Sequence, residues 1–177
     1  ISFLWLLLFV TAGSAQSQTK NDDKAYKEVI NQRAQKIVEV LDISDKKKFE
    51  KVRDIIANQY LDLNEIQAKR DEQLQKASSG SQADKLKSEK IKAKAEQEIA
   101  NLHKKYISRL LSQLSAEQVE KVKDGMSYNV VPLTYANYLL ILPYLNEEQK
   151  TKIKTLLVEA RELAMDGGSS KEKHAWF

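Results

Sequence analysis

Residues 49–81 read FEKVRDIIANQYLDLNEIQAKRDEQLQKASSGS, a charged stretch in which apolar residues recur every three or four positions. At this spacing Phe49, Val52, Ile56, Tyr60 and Leu63 fall on one face of a helix. The small and polar residues at the end of the stretch favour a turn. The pattern therefore predicts a long amphipathic helix that ends in a tight connection.

A second long helix is predicted after the turn, because apolar side chains from Ile91 to Leu110 keep the same period. Helices at about 46–76 and 84–113 would have similar lengths, roughly 45 Å each. Their short connection makes them antiparallel neighbours. We therefore predict an all-α helical bundle built on this hairpin, with a C-terminal group of shorter helices.

The hairpin is flanked by a helix predicted at about 22–41, and Ser44 offers an N-cap for the helix that follows. Ser115 with Gln118 forms a capping box that starts a short helix ending near Gly125. The apolar run from 130 to 142 contains Pro132, so we expect a buried irregular entry and a short helix capped by Thr134.

Two further capping boxes begin helices near the C-terminus. Asn146 with Gln149 starts a helix to Met165, whose expected buried face is formed by residues 153, 156, 157, 160, 163 and 164. Ser169 with Glu172 starts another helix, only a few residues before Phe177. Such a short helix could not hold itself together, so we expect the natural protein to continue beyond this point.

Composition excludes several classes of protein. The 177 residues include 5 Gly, 2 Pro and no Cys, which favours helices and rules out a disulfide scaffold or a thiolate metal site. The net charge of +4 comes from 29 basic and 25 acidic residues that are interleaved, so nucleic acid is not an expected partner. We predict no metal, no cofactor and no particular oligomeric state.

The N-terminus predicts export. Residues 1–10 are apolar except for Ser2, and Gly13 and Ala15 supply a small-x-small cleavage site. A membrane-spanning helix needs about 20 apolar residues, so we expect no stable anchor after cleavage. The predicted organisation is a signal peptide at 1–15 and one helical domain at 16–177, in a periplasmic or secreted protein.

Enzyme signatures are absent, since the sequence has no HExxH motif, no Gly-rich phosphate loop and no nucleophile elbow. Glu159, Glu162 and Asp166 share one helix face, which could bind a cation or serve acid/base chemistry. We interpret them as a charged solvent face. His103 and His174 each stand alone and are interpreted as surface residues or as supports for a neighbouring group, not as ligands. No catalytic residue is predicted.

Tyrosines cluster between residues 126 and 144, where Tyr128, Tyr135, Tyr138 and Tyr144 lie beside Asn129, Thr134 and Asn137. Flat rings next to amide and hydroxyl groups suit sugar recognition, because the ring packs on the C–H face and the polar groups bind hydroxyls. Core packing would use the same residues, and it is the slightly favoured interpretation.

A polar flank accompanies the apolar stripe of the helix at 46–76. At 100° per residue, Arg53, Tyr60, Asn64 and Asp71 share this flank, and Gln67 and Arg70 lie within the stripe itself. Polar residues at core positions need hydrogen-bond partners. They therefore form either a network that locks the hairpin to other helices or a binding site.

Several strings carry a family resemblance: Arg53-Asp54-Ile55-Ile56-Ala57-Asn58-Gln59-Tyr60, Leu63-Asn64-Glu65-Ile66, Arg70-Asp71, Val122-Lys123-Asp124-Gly125-Met126, Thr134-Tyr135, Glu159-Ala160-Arg161-Glu162 and Lys173-His174-Ala175-Trp176-Phe177. In these the chain resembles the exported bacterial family called domain of unknown function 3826. The resemblance implies sugar binding linked to polysaccharide utilisation, with no established reaction. It also implies a further segment after Phe177.

A weaker resemblance links the chain to the periplasmic Spy and CpxP chaperones, whose Leu-Thr-x-x-Gln motifs are similar to the capping boxes at Ser115 and Asn146. Our hypothesis is an exported helical protein that binds a carbohydrate. The alternatives are a chaperone-like or structural interaction protein and an unrecognised glycan-active enzyme using Asp71, Asp124, Glu162, Asp166 or His174. The candidate ligand-binding residues are Arg53, Tyr60, Asn64, Arg70, Asp71, Lys123, Asp124, Tyr128, Thr134, Tyr135, Arg161, Asp166, His174 and Trp176.

Overall fold

The computed structural model describes residues 14–77 and 82–177, with side chains from residue 23 onward. Within these ranges the chain forms seven helices and no strand: α1 Ser14–Glu39, α2 Lys46–Lys76, α3 Gln82–Leu111, α4 Ala116–Met126, α5 Val130–Ile141, α6 Glu147–Ala164 and α7 Ser170–His174. The predicted all-α bundle is confirmed. The predicted leader falls almost wholly on residues 1–13, outside the described residues.

The core lies between α1, α2, α3 and α4. Helix α2 packs along both α1 and α3, and α4 closes the bundle against α1 and α3. The central side chains are apolar and almost fully buried, and they include Val38, Val52, Ile56, Leu110 and Val122. These residues recur at helical spacing on their helices, so the periodic stripes predicted from the sequence are what hold the bundle together.

The last three helices form a second group. Helix α5 packs on α6, α6 packs on α7, and both α5 and α6 contact α4. No helix of the described ranges is long and apolar enough to cross a membrane.

Helix caps agree with the sequence at two of the predicted boxes. Ser115 and Gln118 bond reciprocally, and so do Asn146 and Gln149. The cap of α2 is Asp45 and not Ser44, because the Asp45 carboxylate accepts from the amide of Lys48 at 3.0 Å. A carboxylate satisfies an orphan amide and also suits the positive end of the helix dipole.

The third predicted box is only half formed. Ser169 accepts from the amide of Glu172 at 3.1 Å, but the Glu172 carboxylate accepts from the amide of Gly168 at 2.7 Å. The side chain therefore reaches one residue further back than a capping box requires.

Helix α5 corrects two expectations. The apolar run is helical from Val130 and has no irregular entry, because Pro132 lies in the first turn, where no intrahelical donor is lost. Thr134 lies inside the helix and does not cap it. Its apolar surface is also not buried, except at Val131. Leu140 is 78% exposed and Ile141 is 74% exposed.

The expected buried face of α6 is likewise only partly correct. Leu157 and Ala164 are buried, whereas Leu156 and Leu163 are about half exposed. An apolar period predicts which residues share a face, but it does not show how much of that face a neighbour covers.

Candidate functional site

A cavity of about 240 Å³ lies where α1, α2 and α4 meet the turn before α5. Tyr60 of α2 and Tyr128 of the turn supply its aromatic surface, and Asn129 supplies an amide. The remaining lining residues are Arg33, Lys36, Ile37, Val40, Lys121 and Gly125. We call this the tyrosine cavity. Its size, below the roughly 300 to 1,000 Å³ of sites for drug-sized ligands, suits a single small ring.

The turn that carries Tyr128 is strained. Tyr128 and Asn129 both have left-handed backbone, with φ values of 60° and 56°. Asn tolerates this conformation, but a left-handed tyrosine costs about 1 to 3 kcal/mol and persists only where the surroundings enforce it. Here the buried Ser127 hydroxyl donates to the carbonyl of Lys123 at 3.0 Å, and the amide of Asn129 donates to the carbonyl of Asp124 at 2.8 Å. These bonds fix the corner that directs Tyr128 into the cavity.

Two neighbours support the rings of the tyrosine cavity. The Tyr128 ring stacks on His174 of α7, with centroids 5.8 Å apart and planes inclined by 13°. The ammonium of Lys173 lies 5.8 Å from the centre of the Tyr60 ring, within cation–π range. Helix α7 therefore braces both tyrosines, which places the predicted residues Tyr60, Tyr128 and His174 together.

Lys173 is a buried cation. Its ammonium donates to the carbonyl of Met165 at 2.7 Å and lies 3.5 Å from the carbonyl of Met126. Burial lowers the pKa of Lys173 to about 8; Asp166 opposes that shift and Arg33 adds to it. Burial also raises the pKa of the Tyr60 hydroxyl well above its usual range. Tyr60 therefore keeps its proton and can donate a hydrogen bond at neutral pH.

A second polar cluster lies between α4 and α6, and we call it the arginine cluster. The guanidinium of Arg161 is 97% buried and bonds Glu120, Asp124 at 2.6 Å and Glu162 at 3.0 Å. Lys123 adds contacts to Glu120 at 3.1 Å and Glu162 at 3.0 Å. The predicted residues Lys123, Asp124 and Arg161 thus lie together, in a cluster that sets two cations against three carboxylates.

A histidine–aspartate pair extends this cluster to α3. Nδ1 of His103 lies 2.8 Å from Oδ2 of Asp166, and its Nε2 lies 3.9 Å from Glu162. The hydrogen bond to Asp166 raises the pKa of His103 against the effect of burial. The other oxygen, Oδ1 of Asp166, is buried and has no hydrogen-bond partner among the described residues. The interpretation of a charged solvent face holds for Glu159, which is exposed, and is wrong for Glu162 and Asp166, which pair across helices.

Contacts from α2 hold the turn between α6 and α7. Gln67 donates to the backbone carbonyl of Asp166 at 2.9 Å, and Arg70 bonds Asp71 at 2.7 Å and lies 3.7 Å from Glu172. A Cβ on Gly168 would collide with the Gln67 amide, so the backbone approaches Gln67 closely at that glycine. Gln67 and Arg70 therefore lock the hairpin to the C-terminal helices.

The other predicted residues lie away from the tyrosine cavity. Arg53 pairs with Asp54 at 2.7 Å and lines a shallow groove of about 510 Å³ between α1 and α2. Asn64 is exposed. Thr134 and Tyr135 lie on α5, where the Lys154 ammonium is 6.0 Å from the centre of the partly exposed Tyr135 ring. Trp176 is 51% exposed. The polar flank of α2 thus spreads over several surfaces, and of its members only Tyr60 lines the tyrosine cavity.

Sequence reasoning missed Arg33, Lys36 and Lys173 as neighbours of the tyrosines, and His103 as the partner of Asp166. The signal for Asn129 was present, because Asn tolerates left-handed backbone and stands beside Tyr128 ahead of Pro132. Arg33 and Lys36 lie in an ordinary charged helix, whose pattern carries no sign of what packs against it. No group of acidic or histidine side chains in the described ranges could hold a metal ion.

Comparison with known proteins identifies the family. The family described as "Protein of unknown function (DUF3826)" matches residues 27–177, which span all seven helices except the start of α1. The chain therefore belongs to this family. No curated protein matches it.

Proposed function

We propose that this member of the DUF3826 family is an exported carbohydrate-binding protein whose tyrosine cavity holds one sugar ring. The observation that carries the proposal is the pairing of Tyr60 and Tyr128 around one small cavity beside Asn129. Aromatic faces pack on the C–H side of a sugar, and the amide and phenol groups bind its hydroxyls.

The strained corner supports a binding role for Tyr128. A left-handed tyrosine is costly, and that cost is maintained most often where a side chain must be held in a particular place. His174 stacks on the Tyr128 ring, so the ring is positioned before a ligand arrives. A positioned aromatic group loses little entropy on binding.

Export is part of the proposal because the apolar run at residues 1–10 and the small-x-small site at Gly13 and Ala15 are typical of a cleaved leader. Mass spectrometry of the protein secreted by a native host is expected to find Gln16 as the first residue. A mature protein that retains residues 1–15 would contradict this part.

The binding proposal is tested by glycan-array screening followed by calorimetric titration of the sugars that bind. Tyr128→Ala is expected to weaken binding about 10-fold, because loss of a ring contact costs roughly 1.4 kcal/mol. Tyr138→Ala is the matched control, since Tyr138 is 41% exposed and Tyr128 is 46% exposed, but Tyr138 lies on α5 outside the cavity. Equal losses in both variants, or no bound sugar on the array, would contradict the proposal.

A chaperone-like role is the second candidate, and one observation favours it. Exposed apolar side chains gather on α5 and just after it, where Leu133, Leu140, Ile141 and Tyr144 are each more than 60% exposed. Exposed apolar side chains concentrated in one segment favour contact with other proteins. Light scattering of a denatured client tests the role: suppression of aggregation that is lost in Leu140→Ser/Ile141→Ser would support it, and no suppression by the parent protein would reject it.

A further inference from the structure

The tyrosine cavity is electrostatically one-sided. Among the residues that the structure describes, its lining includes three cationic side chains, Arg33 and Lys36 from α1 and Lys121 from α4, and no carboxylate. The cations come from two helices that line the same cavity, so their fields add there. A neutral ligand would need none of them.

Two of these cations are not used by the fold. Within the part of the chain that the structure describes, Arg33 and Lys36 take part in no ion pair, whereas Lys121 pairs with the exposed Glu117 at 3.4 Å. Arg161, by contrast, is surrounded by three carboxylates. Arg33 is also close enough to the buried Lys173 and to Tyr60 to act on the electrostatics of both. The described lining of the tyrosine cavity therefore concentrates positive charge and holds no carboxylate of its own.

We propose that the ligand of the tyrosine cavity is an acidic sugar, whose carboxylate or sulfate group binds Arg33 and Lys36 while its ring packs on Tyr128. The inference rests on the proposed sugar-binding function and adds the class of sugar. A guanidinium binds such a group through two parallel hydrogen bonds, and a nearby ammonium adds a point charge. Asn129 and the protonated Tyr60 hydroxyl remain available for the neutral hydroxyls.

The test compares sugars that differ only in charge. The purified protein is titrated with trigalacturonic acid and with galactotriose, and separately with galactose 6-sulfate and galactose, after an array that holds neutral, uronate and sulfated oligosaccharides. We expect one acidic member to bind at least 10-fold more tightly than its neutral counterpart. Whether the uronate or the sulfate pair shows the difference identifies the acidic group. Its affinity should fall as salt is raised, because part of the attraction is screened.

Variants on α1 locate the anion. Arg33→Gln and Lys36→Gln should each weaken the acidic sugar about 10-fold and leave a neutral sugar almost unaffected. Lys27→Gln is the matched control, because it removes one positive charge from the same helix at a residue that lines the separate groove containing Arg53. The control should change the affinity by less than twofold.

The outcomes separate this inference from the function on which it rests. Equal affinity for charged and neutral sugars, or equal losses in Arg33→Gln and Lys27→Gln, would overturn the acidic-sugar inference and leave sugar binding intact. If no sugar on the array bound the protein, both the acidic-sugar inference and the proposed sugar-binding function would be overturned. Binding of acidic sugars that survives Tyr128→Ala but not Arg33→Gln would show a simple anion site and overturn the role of the ring.

Discussion

Arg161 and Arg33 are both helical arginines near α4, and they have opposite surroundings. Arg161 is almost fully buried and bonds three carboxylates, whereas Arg33 is exposed at the rim of the tyrosine cavity and pairs with none in the described chain. A buried cation must be compensated within the protein. An exposed cation is stabilised by hydration, so it needs no protein partner and remains able to bind a ligand. The difference suggests that the arginine cluster serves the fold and that the tyrosine cavity serves binding.

The largest expected effect tests the structural half of this comparison. Arg161→Ala removes the guanidinium that bonds Glu120, Asp124 and Glu162 between α4 and α6. Breaking a buried pair costs roughly 3 to 5 kcal/mol, and the carboxylates here are partly exposed, so we expect a loss of about 3 kcal/mol in the free energy of unfolding. Urea denaturation followed by circular dichroism measures it.

The matched control removes a surface ion pair. Lys150→Ala breaks the contact with the exposed Glu147 at 2.7 Å, and such pairs contribute little. The unfolding midpoint should barely change. A midpoint in Arg161→Ala as high as in Lys150→Ala would contradict the assignment of the arginine cluster to stability.

A smaller loss is expected at the turn that joins α6 to α7. A methyl group at Gly168 would collide with the buried Gln67 amide, which already donates to the carbonyl of Asp166. We expect Gly168→Ala to cost about 2 kcal/mol, in the range of overpacked sites. In a Gln67→Ala background the same change should cost much less, and a double-mutant cycle by thermal unfolding detects this coupling. Additive losses would show that the two residues do not meet.

The histidine–aspartate pair predicts a pH effect of about 1 kcal/mol. The bond to Asp166 raises the pKa of His103, so the folded protein binds the proton more tightly than the unfolded chain. The contribution is complete below the unfolded pKa of about 6.5 and is lost as pH rises through the raised value. His103→Asn should therefore destabilise more at pH 5.5 than at pH 9.

Urea midpoints of the parent protein and His103→Asn across this range measure the difference. Asp166→Asn should remove the same pH dependence, because it removes the partner that stabilises the charged imidazole. If the cost of His103→Asn were the same at both pH values, the histidine would not be paired in its charged form.

Local patterns predicted the bundle well, because they report on local physics. The apolar period gave α2 and α3 to within a few residues, and the boxes at Ser115 and Asn146 marked true helix starts. Spacing along one helix decides both features. The same period could not show that α5 would remain uncovered, because exposure depends on which helix packs against it.

The candidate site was predicted only in part for the same reason. Tyr60, Tyr128 and His174 were identified, but not that they meet, since contacts between α2, the corner before α5 and α7 depend on the packing of the whole bundle. The pairing of His103 with Asp166 joins residues 63 positions apart. Such a pair leaves no periodic signal in the sequence, so His103 looked isolated and Asp166 was grouped only with Glu159 and Glu162.

The smallest expected change in stability provides the sharpest test of the comparison. Arg33→Ala should alter the free energy of unfolding by no more than about 0.5 kcal/mol, because exposed groups without partners contribute little to the folded state. The result is informative when set beside Arg161→Ala, which removes the same kind of side chain. If Arg33→Ala unfolded at a clearly lower urea concentration than the parent protein, the Arg33 guanidinium would contribute to folding stability. That role alone would then explain its position at the cavity, without a ligand. If it unfolded normally and also lost affinity for an acidic sugar, stability and binding would rest on different arginines. That separation is expected because Arg161 has three carboxylates within hydrogen-bonding distance, whereas Arg33 has none in the described chain and stands next to Tyr60.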